Sequence, residues 1–266
     1  MSNTTNTTRA GTENRFLAVA MTSFNSMRTI TTAVKSLEGL ADRVFVVDSG
    51  STDGTVQACR DLGCEVIHRD WTGYADQKRF GLELADGYEW VMILDSDEAV
   101  EPELAESIRS LRDRDMDQVD GLEINRRIVF QGQRLKYMFQ PEWRLRIVRP
   151  GKARIEGRIH EQVIVEGRVG RLDGDLLHDS WVDVADMLQR GIDYSREAAL
   201  AGSRGGHAWN LVVSPPSTFI KQYLLKRGLL DGRTGLLLSG CMAAGTLIKH
   251  LTLMQHRRDG RGKGRG

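Results

Sequence analysis

Two acidic segments have the residue types and spacing for chemistry: Asp48-Ser-Gly-Ser-Thr-Asp53-Gly54 and Asp95-Ser96-Asp97-Glu98. Each follows an apolar run of strand length, Arg43–Asp48 and Glu89–Leu94. Alternate residues of an extended segment point to one side, so Asp95 and Asp97 can direct two carboxylates toward one divalent cation. Mg²⁺ or Mn²⁺ prefers such an oxygen shell and leaves positions for substrate phosphates, which suits a diphosphate. The competing reading is that Asp-Ser-Asp-Glu only caps a helix opened by Pro102. The tripeptide alone favours the cap; its place after one strand, with a second acidic loop after another, favours a shared site.

The elements that must position these loops follow from hydrophobic pattern. Phe16–Phe24 reads as a strand, Met27–Glu38 as a helix, and Arg43–Asp48 as a second buried strand. Thr52 or Asp53 is placed to cap the next helix, which ends near Gly63. Glu65–His68 is a third strand, Ala75–Ala85 a helix, Glu89–Leu94 a fourth strand ending at Asp95, and Pro102 opens a helix to about Arg112. Continuous apolar strands separated by helices imply a parallel sheet covered on both faces, with ligands beyond the carboxyl ends of its strands. Residues 119–178 change character, with strands at Gly121–Phe130, Arg144–Val148, Arg154–Ile159 and Gln162–Val165. Helices return with Val182–Ala201; Pro215-Pro216 punctuates the chain before Phe219–Leu230 and Leu236–Met254.

Composition narrows the function classes. The 266 residues are 40% hydrophobic, enough for a substantial core, which excludes a disordered, collagen-like or disulfide-scaffold protein. The net charge of +1 argues against a nucleic-acid partner but hides a division: residues 1–200 carry −8 and residues 201–266 carry +9. Such asymmetry often marks contact with an anionic surface. Cys59, Cys64 and Cys241 are too few for a disulfide framework and read as reduced core thiols. The opening MSNTTNTTRAGTEN has no apolar signal region, so cytosol is the default compartment. Thr234–Ile248 is uncharged but, at 15 residues, shorter than the ~20 a membrane span needs. Its basic flanks fit helices lying in the interface of an anionic leaflet; packing on the body of the protein, or a contact between copies, is the alternative. The first strand–helix turn has no Gly-x-Gly-x-x-Gly, and neither a phosphate loop nor a Gly-x-Ser-x-Gly elbow occurs.

With these pieces in order, the sequence resembles the family 2 glycosyltransferases of the GT-A fold, through MTSFN at Met21–Asn25, VVDSGSTDGT at Val46–Thr55 and LDSDE at Leu94–Glu98. It is similar in particular to the subgroup of lipopolysaccharide inner-core glucosyltransferases. The segments that carry this are Trp71-Thr-Gly-Tyr74 with Gln77-Lys78, Trp143-Arg144-Leu145-Arg146, His160-Glu161 and the stretch from Phe219. The resemblance implies an α/β fold with a Rossmann-like, mainly parallel nucleotide-sugar-binding sheet and a C-terminal helical extension. It divides the chain into a disordered lead (1–14), a nucleotide-sugar-binding half (15–118), an acceptor-side β-rich half of the same domain (119–181), a helical extension (182–256) and a basic tail (257–266).

It also implies roles. Thr22, Ser23 and Asn25 would line the nucleotide pocket, Asp48 would contact the base, Asp95 would lie near the ribose, and Asp97 would ligate Mg²⁺ or Mn²⁺. Lys78 with Arg144 or Arg146 would neutralise diphosphate charge. His160 would reach the metal or the diphosphate. Glu161 would be the base that deprotonates the acceptor hydroxyl in an inverting transfer, with Glu142 and Asp173 as competitors. The implied partners are a nucleotide diphosphate-sugar, a UDP-sugar favoured, a glycolipid acceptor and an anionic membrane; a homo-oligomer stays open. The implied place is peripheral, on the cytoplasmic face of a bacterial inner membrane. Gln140-Pro-Glu-Trp-Arg144 is not the Gln-x-x-Arg-Trp of processive synthases, so one sugar per acceptor is expected. A nucleotidyltransferase and a non-catalytic membrane-associated nucleotide-binding adaptor are the alternatives.

Overall fold

The structure is a computed structural model that describes residues 15–262 except 115, 117, 158–160 and 202–204, with side chains described as far as 257. The expected lead and the end of the basic tail lie outside the described residues. The chain divides into two compact units.

The first unit comprises Met1–Ser96, Pro102–Glu123 and Leu145–Asp173. Its elements are β1 (Leu17–Ser23), α1 (Ile30–Lys35), β2 (Arg43–Asp48), α2 (Thr55–Asp61), β3 (Glu65–His68), α3 (Tyr74–Leu84) and β4 (Trp90–Asp95). The strands lie in the order β3-β2-β1-β4, all parallel. Leu17–Met21 and Trp90–Leu94 are buried at every position, as strands covered on both faces must be. Register pairs Ser23 with Asp48 and Thr22 with Asp95, so three adjacent strands bring these residues to their carboxyl ends together. α3 lies close on β1: a Cβ at Gly81 would stand 3.1 Å from the Ala20 Cβ. The core joins Ala18, Ala20, Phe45, Leu82, Val91, Ile93, Val148 and Ile155.

The second unit comprises Asp97–Glu101, Ile124–Arg144 and Gly174–Gly266. Between the parallel strands and the C-terminal helices the chain forms β5 (Glu98–Val100), α4 (Pro102–Arg109), β6 (Gly121–Phe130), β7 (Gln133–Arg134), β8 (Trp143–Val148), β9 (Ala153–Glu156), β10 (Gln162–Val165) and β11 (Val169–Trp181). β5 runs antiparallel to β11 and β7 to β6 in the second unit, while in the first β8 runs antiparallel to β4 and β10 to β9. The chain ends in α5 (Val184–Leu200), α6 (Ala208–Ile220) and α7 (Gly232–Gly262), α7 packing on both α5 and α6. Ile128, Phe130, Leu135, Met138, Met187, Leu238 and Cys241 form the core here.

The α/β class, the parallel strands and the C-terminal helices are as the sequence implies; several local readings change. Glu98–Val100 is a strand paired with β11, so the acidic tetrapeptide does more than cap a helix. The 13-residue β11 had no counterpart in the sequence reading. α2 starts at Thr55 with Gly54 (φ 90°) at its N-cap, because Asp53 spends one oxygen on the Thr55 amide and hydroxyl and the other on the Met27 amide. That last bond, with Ser26 N–H donating to Thr55 Oγ1, ties down the chain before α1 and delays its start to Ile30. Pro215-Pro216 lies inside α6 rather than at a break. Proline's fixed φ suits a helix, and no α6 residue is fully buried, so the carbonyls that lose their N–H partners are not sealed in a dry core. Among the described residues one helical stretch, Gly228–Arg257, is long and apolar enough to cross a membrane by length and composition, with a mean hydropathy of 1.4 over an 18-residue window within it.

Candidate active site

The loops after β1 and β2 are stitched into one rim. Asp48 is 2% exposed; its Oδ1 accepts the Gly50 and Ser51 amides at 3.0 and 2.8 Å, and its Oδ2 accepts the Ser51 hydroxyl at 2.5 Å. Its carboxylate therefore shapes the loop from beneath. Asn25, in the left-handed region at φ 47°, accepts the Thr52 amide at 2.9 Å and donates its own N–H to Ser51 Oγ at 2.8 Å. Ser23 Oγ is buried without a hydrogen-bond partner, and Thr22 beside it is half-buried.

Beneath the same strand ends lies an ion network within the first unit. Gln77, fully buried on α3, donates to the Arg69 and Asp70 carbonyls and so fixes the start of the helix to the preceding loop. The next residue, Lys78, places Nζ 2.7 Å from Asp95 Oδ1 and 2.9 Å from Glu161 Oε1. Arg146 on β8 places Nη2 2.8 Å from Asp95 Oδ2. The two cations are almost fully buried, with side chains 4% and 7% exposed, while Asp95 and Glu161 keep 25% and 21%. Burial opposes the Lys78 charge and Arg146 adds to that, but Asp95 and Glu161 outweigh both and hold the ammonium above its usual range.

The second unit holds another charged group. Asp97 Oδ2 stands 3.5 Å from His178 Nε2, and Asp179 N–H donates to the Asp97 carbonyl, fixing β11 against this segment. His178 Nδ1 is buried without a partner. Glu98 is fully buried, 3.5 Å from Arg126 Nη1. Glu142 accepts from Arg126 Nη2 at 2.7 Å and Nε at 3.1 Å, and from Arg144 Nη2 at 2.6 Å. Burial works against its charge, yet the two guanidinium groups hold Glu142 below its usual range. Arg144 is half-exposed, whereas Arg146 is buried on the Asp95 carboxylate.

The structure thus brings Lys78, Asp95, Arg146 and Glu161 together, and separately Thr22, Ser23, Asn25 and Asp48 around the joined loops. His160 lies outside the described residues. Asp173 is exposed on β11, and Glu142 is held by Arg126 and Arg144. His178 is the residue that sequence reasoning misses, because only the pairing of β11 with β5 sets His178 opposite Glu98 and beside Asp97. Among the described residues no three His, Cys, Asp or Glu side chains converge as a ready-made metal site. Asp97, with the His178 imidazole beside it, nonetheless offers a carboxylate oxygen of the kind Mn²⁺ and Mg²⁺ accept, provided substrate phosphates complete the shell. Two surface hollows lined by Gly151, Ala153 and Arg154 include none of the expected site residues.

The profile described as Glycosyl transferase family 2 matches residues 18–161, the stretch that holds both loops and the ion network. The chain belongs to this family. It is a glycosyltransferase. It is 30% identical to the lipopolysaccharide core biosynthesis glycosyltransferase LpsC of Rhizobium meliloti, over 82% of this chain and 86% of that one. It is 26% identical to an uncharacterized glycosyltransferase of Rickettsia typhi, over 79% and 77%. Among solved structures it is similar to glucosyl-3-phosphoglycerate synthase from Mycobacterium tuberculosis in complex with Mn²⁺, UDP and glucosyl-3-phosphoglycerate, with 21% identity, TM-score 0.35, and 44% of this chain and 45% of that one covered. The match therefore covers less than half of either chain. Family membership agrees with the GT-A reading of the parallel strands, and the nucleotidyltransferase and adaptor readings lose their ground.

Proposed function

We propose that the glycosyltransferase moves one sugar, with inversion, from a nucleotide diphosphate-sugar to a cell-envelope glycolipid such as lipopolysaccharide core. A UDP-sugar is the favoured donor, Mg²⁺ or Mn²⁺ the cofactor, and the cytoplasmic face of the inner membrane the place of action. The observation that carries this reading is the Lys78–Asp95–Arg146–Glu161 network at the end of β4. Two buried cations there stand ready for negative charge, as departure of a nucleoside diphosphate demands. Each already faces a carboxylate, so a diphosphate brought to the site needs further positive charge. A divalent cation, for which Asp97 is the proposed ligand, would supply that charge.

The reaction needs three things from the chain. Thr22, Ser23, Asn25 and the loop folded by Asp48 hold the nucleotide. Lys78 and Arg146 take up charge as the anomeric carbon–oxygen bond to the diphosphate breaks. Glu161 accepts the proton of the acceptor hydroxyl as the new glycosidic bond forms on the opposite face of the sugar, which inverts the anomeric centre. For that step Lys78 must pass from Glu161 toward the diphosphate, freeing the carboxylate when the donor is in place. The lipopolysaccharide-core relative supports the glycolipid class of acceptor. Turnover of UDP-sugars with Mn²⁺ tests the metal role: Asp97→Asn should lower the rate by roughly 10²-fold or more. Unchanged metal-dependent turnover in this variant would refute the assignment of Asp97.

A further inference from the structure

We propose that the turn joining α6 to α7, residues 221–232, is where the protein inserts into an anionic bilayer surface. This deepens the membrane-acceptor reading above and rests on it. The chain leaves α6 through a single π-turn, Lys221–Leu225, bends at Arg227 (φ 58°), makes a 3₁₀ turn over Gly228–Asp231 and enters α7 at Gly232, a second residue at positive φ (63°). Four leucines project from this tip: Leu224, Leu225, Leu229 and Leu230 are 54%, 75%, 52% and 57% exposed. Lys221, Lys226, Arg227 and Arg233, all exposed, flank and separate them along the chain. Apolar side chains that enter the acyl boundary within a ring of basic residues at headgroup level are the pattern of an interfacial anchor.

The tip is mounted firmly, so it can act as a wedge. Asp231, 6% exposed, accepts the Lys136 and Met138 amides at 2.7 Å each and the Tyr137 amide at 3.2 Å. Gly228 and Gly235 touch backbone to backbone, since a Cβ on Gly235 would overlap the Gly228 carbonyl. Asp231 is the sole acidic residue between 208 and 256, and its carboxylate is turned inward onto those amides, so the surface of this stretch carries one sign of charge.

Charge selects the occupant. An isologous contact with a second copy would set four basic residues of one tip against four of the other. An anionic leaflet instead attracts each of them. Spanning by α7 is disfavoured because α5, which packs along it, presents Arg190, Asp193 and Arg196 at its exposed surface, and a bilayer around α7 would have to bury them.

The test is co-sedimentation of the full chain with phosphatidylcholine vesicles, with and without phosphatidylglycerol. The wild type should bind the anionic vesicles. A variant combining Leu224→Ser, Leu225→Ser, Leu229→Ser and Leu230→Ser should lose about tenfold or more of that partitioning, while Leu247→Ser with Leu251→Ser, on the exposed face of α7, should keep it. Equal binding by the tip variant would overturn the proposal, as would a wild type that resists high-salt and alkaline extraction like a spanning protein. A dimer in sedimentation velocity that the tip variant dissolves would overturn it in favour of a second copy. A wild type that ignores anionic vesicles altogether would remove the membrane reading itself, a separate result from failure of the tip alone.

Discussion

Lys78 keeps its charge in a nearly dry place because two carboxylates face it, and that makes its removal costly in a way the proposed neutralisation of diphosphate charge does not require. Lys78→Met would remove the ammonium that both Glu161 and Asp95 engage; destabilisation of about 3 kcal/mol by urea unfolding is expected. Glu161→Gln keeps a hydrogen-bond acceptor toward Lys78, so it should cost about 1 kcal/mol, yet slow transfer by about 10²-fold or more if Glu161 is the base. A variant pair in which Glu161→Gln retains full transfer would move the base elsewhere. Because the Lys78 ammonium is held above its ordinary range, its stabilisation is fully present below about pH 10.5 and is lost only as pH climbs through the raised value. The sequence marked Lys78 as a diphosphate partner without showing that Asp95 and Glu161 already engage it. Arg144 and Arg146 read as equivalent from their alternation on a strand; their partners separate them, Glu142 two residues away for one and Asp95 from a distant segment for the other.

At the level of elements, the network depends on how α3 sits on the sheet. Gly81 lies one turn beyond Lys78 on the same helix, and its missing side chain is what lets α3 approach Ala20 on β1. Gly81→Val should force the helix outward, costing about 1–3 kcal/mol, and should loosen the Lys78 contacts. Thermal unfolding checks the first effect, and a parallel fall in donor binding the second. Wild-type stability in this variant would mean that α3 can shift freely and that the network does not depend on its seat. This part of the fold was legible because β1, β2 and β4 are continuous apolar runs closed by turn residues. β11 was not, because the two residues it buries fully, Leu172 and Leu176, are four apart and Gly170, Arg171, Asp173, Gly174 and Asp175 break any alternation. β5 has only three residues and exists through its pairing with β11, which no local pattern announces. α6 is hidden in the sequence because a proline pair reads as punctuation before a helix at Phe219, whereas both prolines sit within a helix, Ala208–Ile220, that has no fully buried residue.

For the whole molecule, the near-zero net charge conceals a +9 C-terminal stretch and a −8 remainder. A deletion from Phe219 onward would not isolate that charge, because it would also remove Leu238 and Cys241 from the core they share with Ile128, Phe130 and Met187. Substitution at the surface separates the two effects. Lys226→Glu with Arg227→Glu changes only exposed side chains and reverses two charges beside the leucine tip. With each basic residue near an anionic surface contributing about 1 kcal/mol, binding to phosphatidylglycerol vesicles should fall by tenfold or more, while thermal stability stays near that of the wild type. Raising the salt concentration should weaken the wild type in the same direction, since the attraction acts over a Debye length of ~8–10 Å at physiological ionic strength. The leucines should be much less salt-sensitive in their contribution. Binding that survives both charge reversal and high salt would assign the attachment to apolar insertion alone, and the basic residues of the tip would then have no part in holding the enzyme to the vesicles.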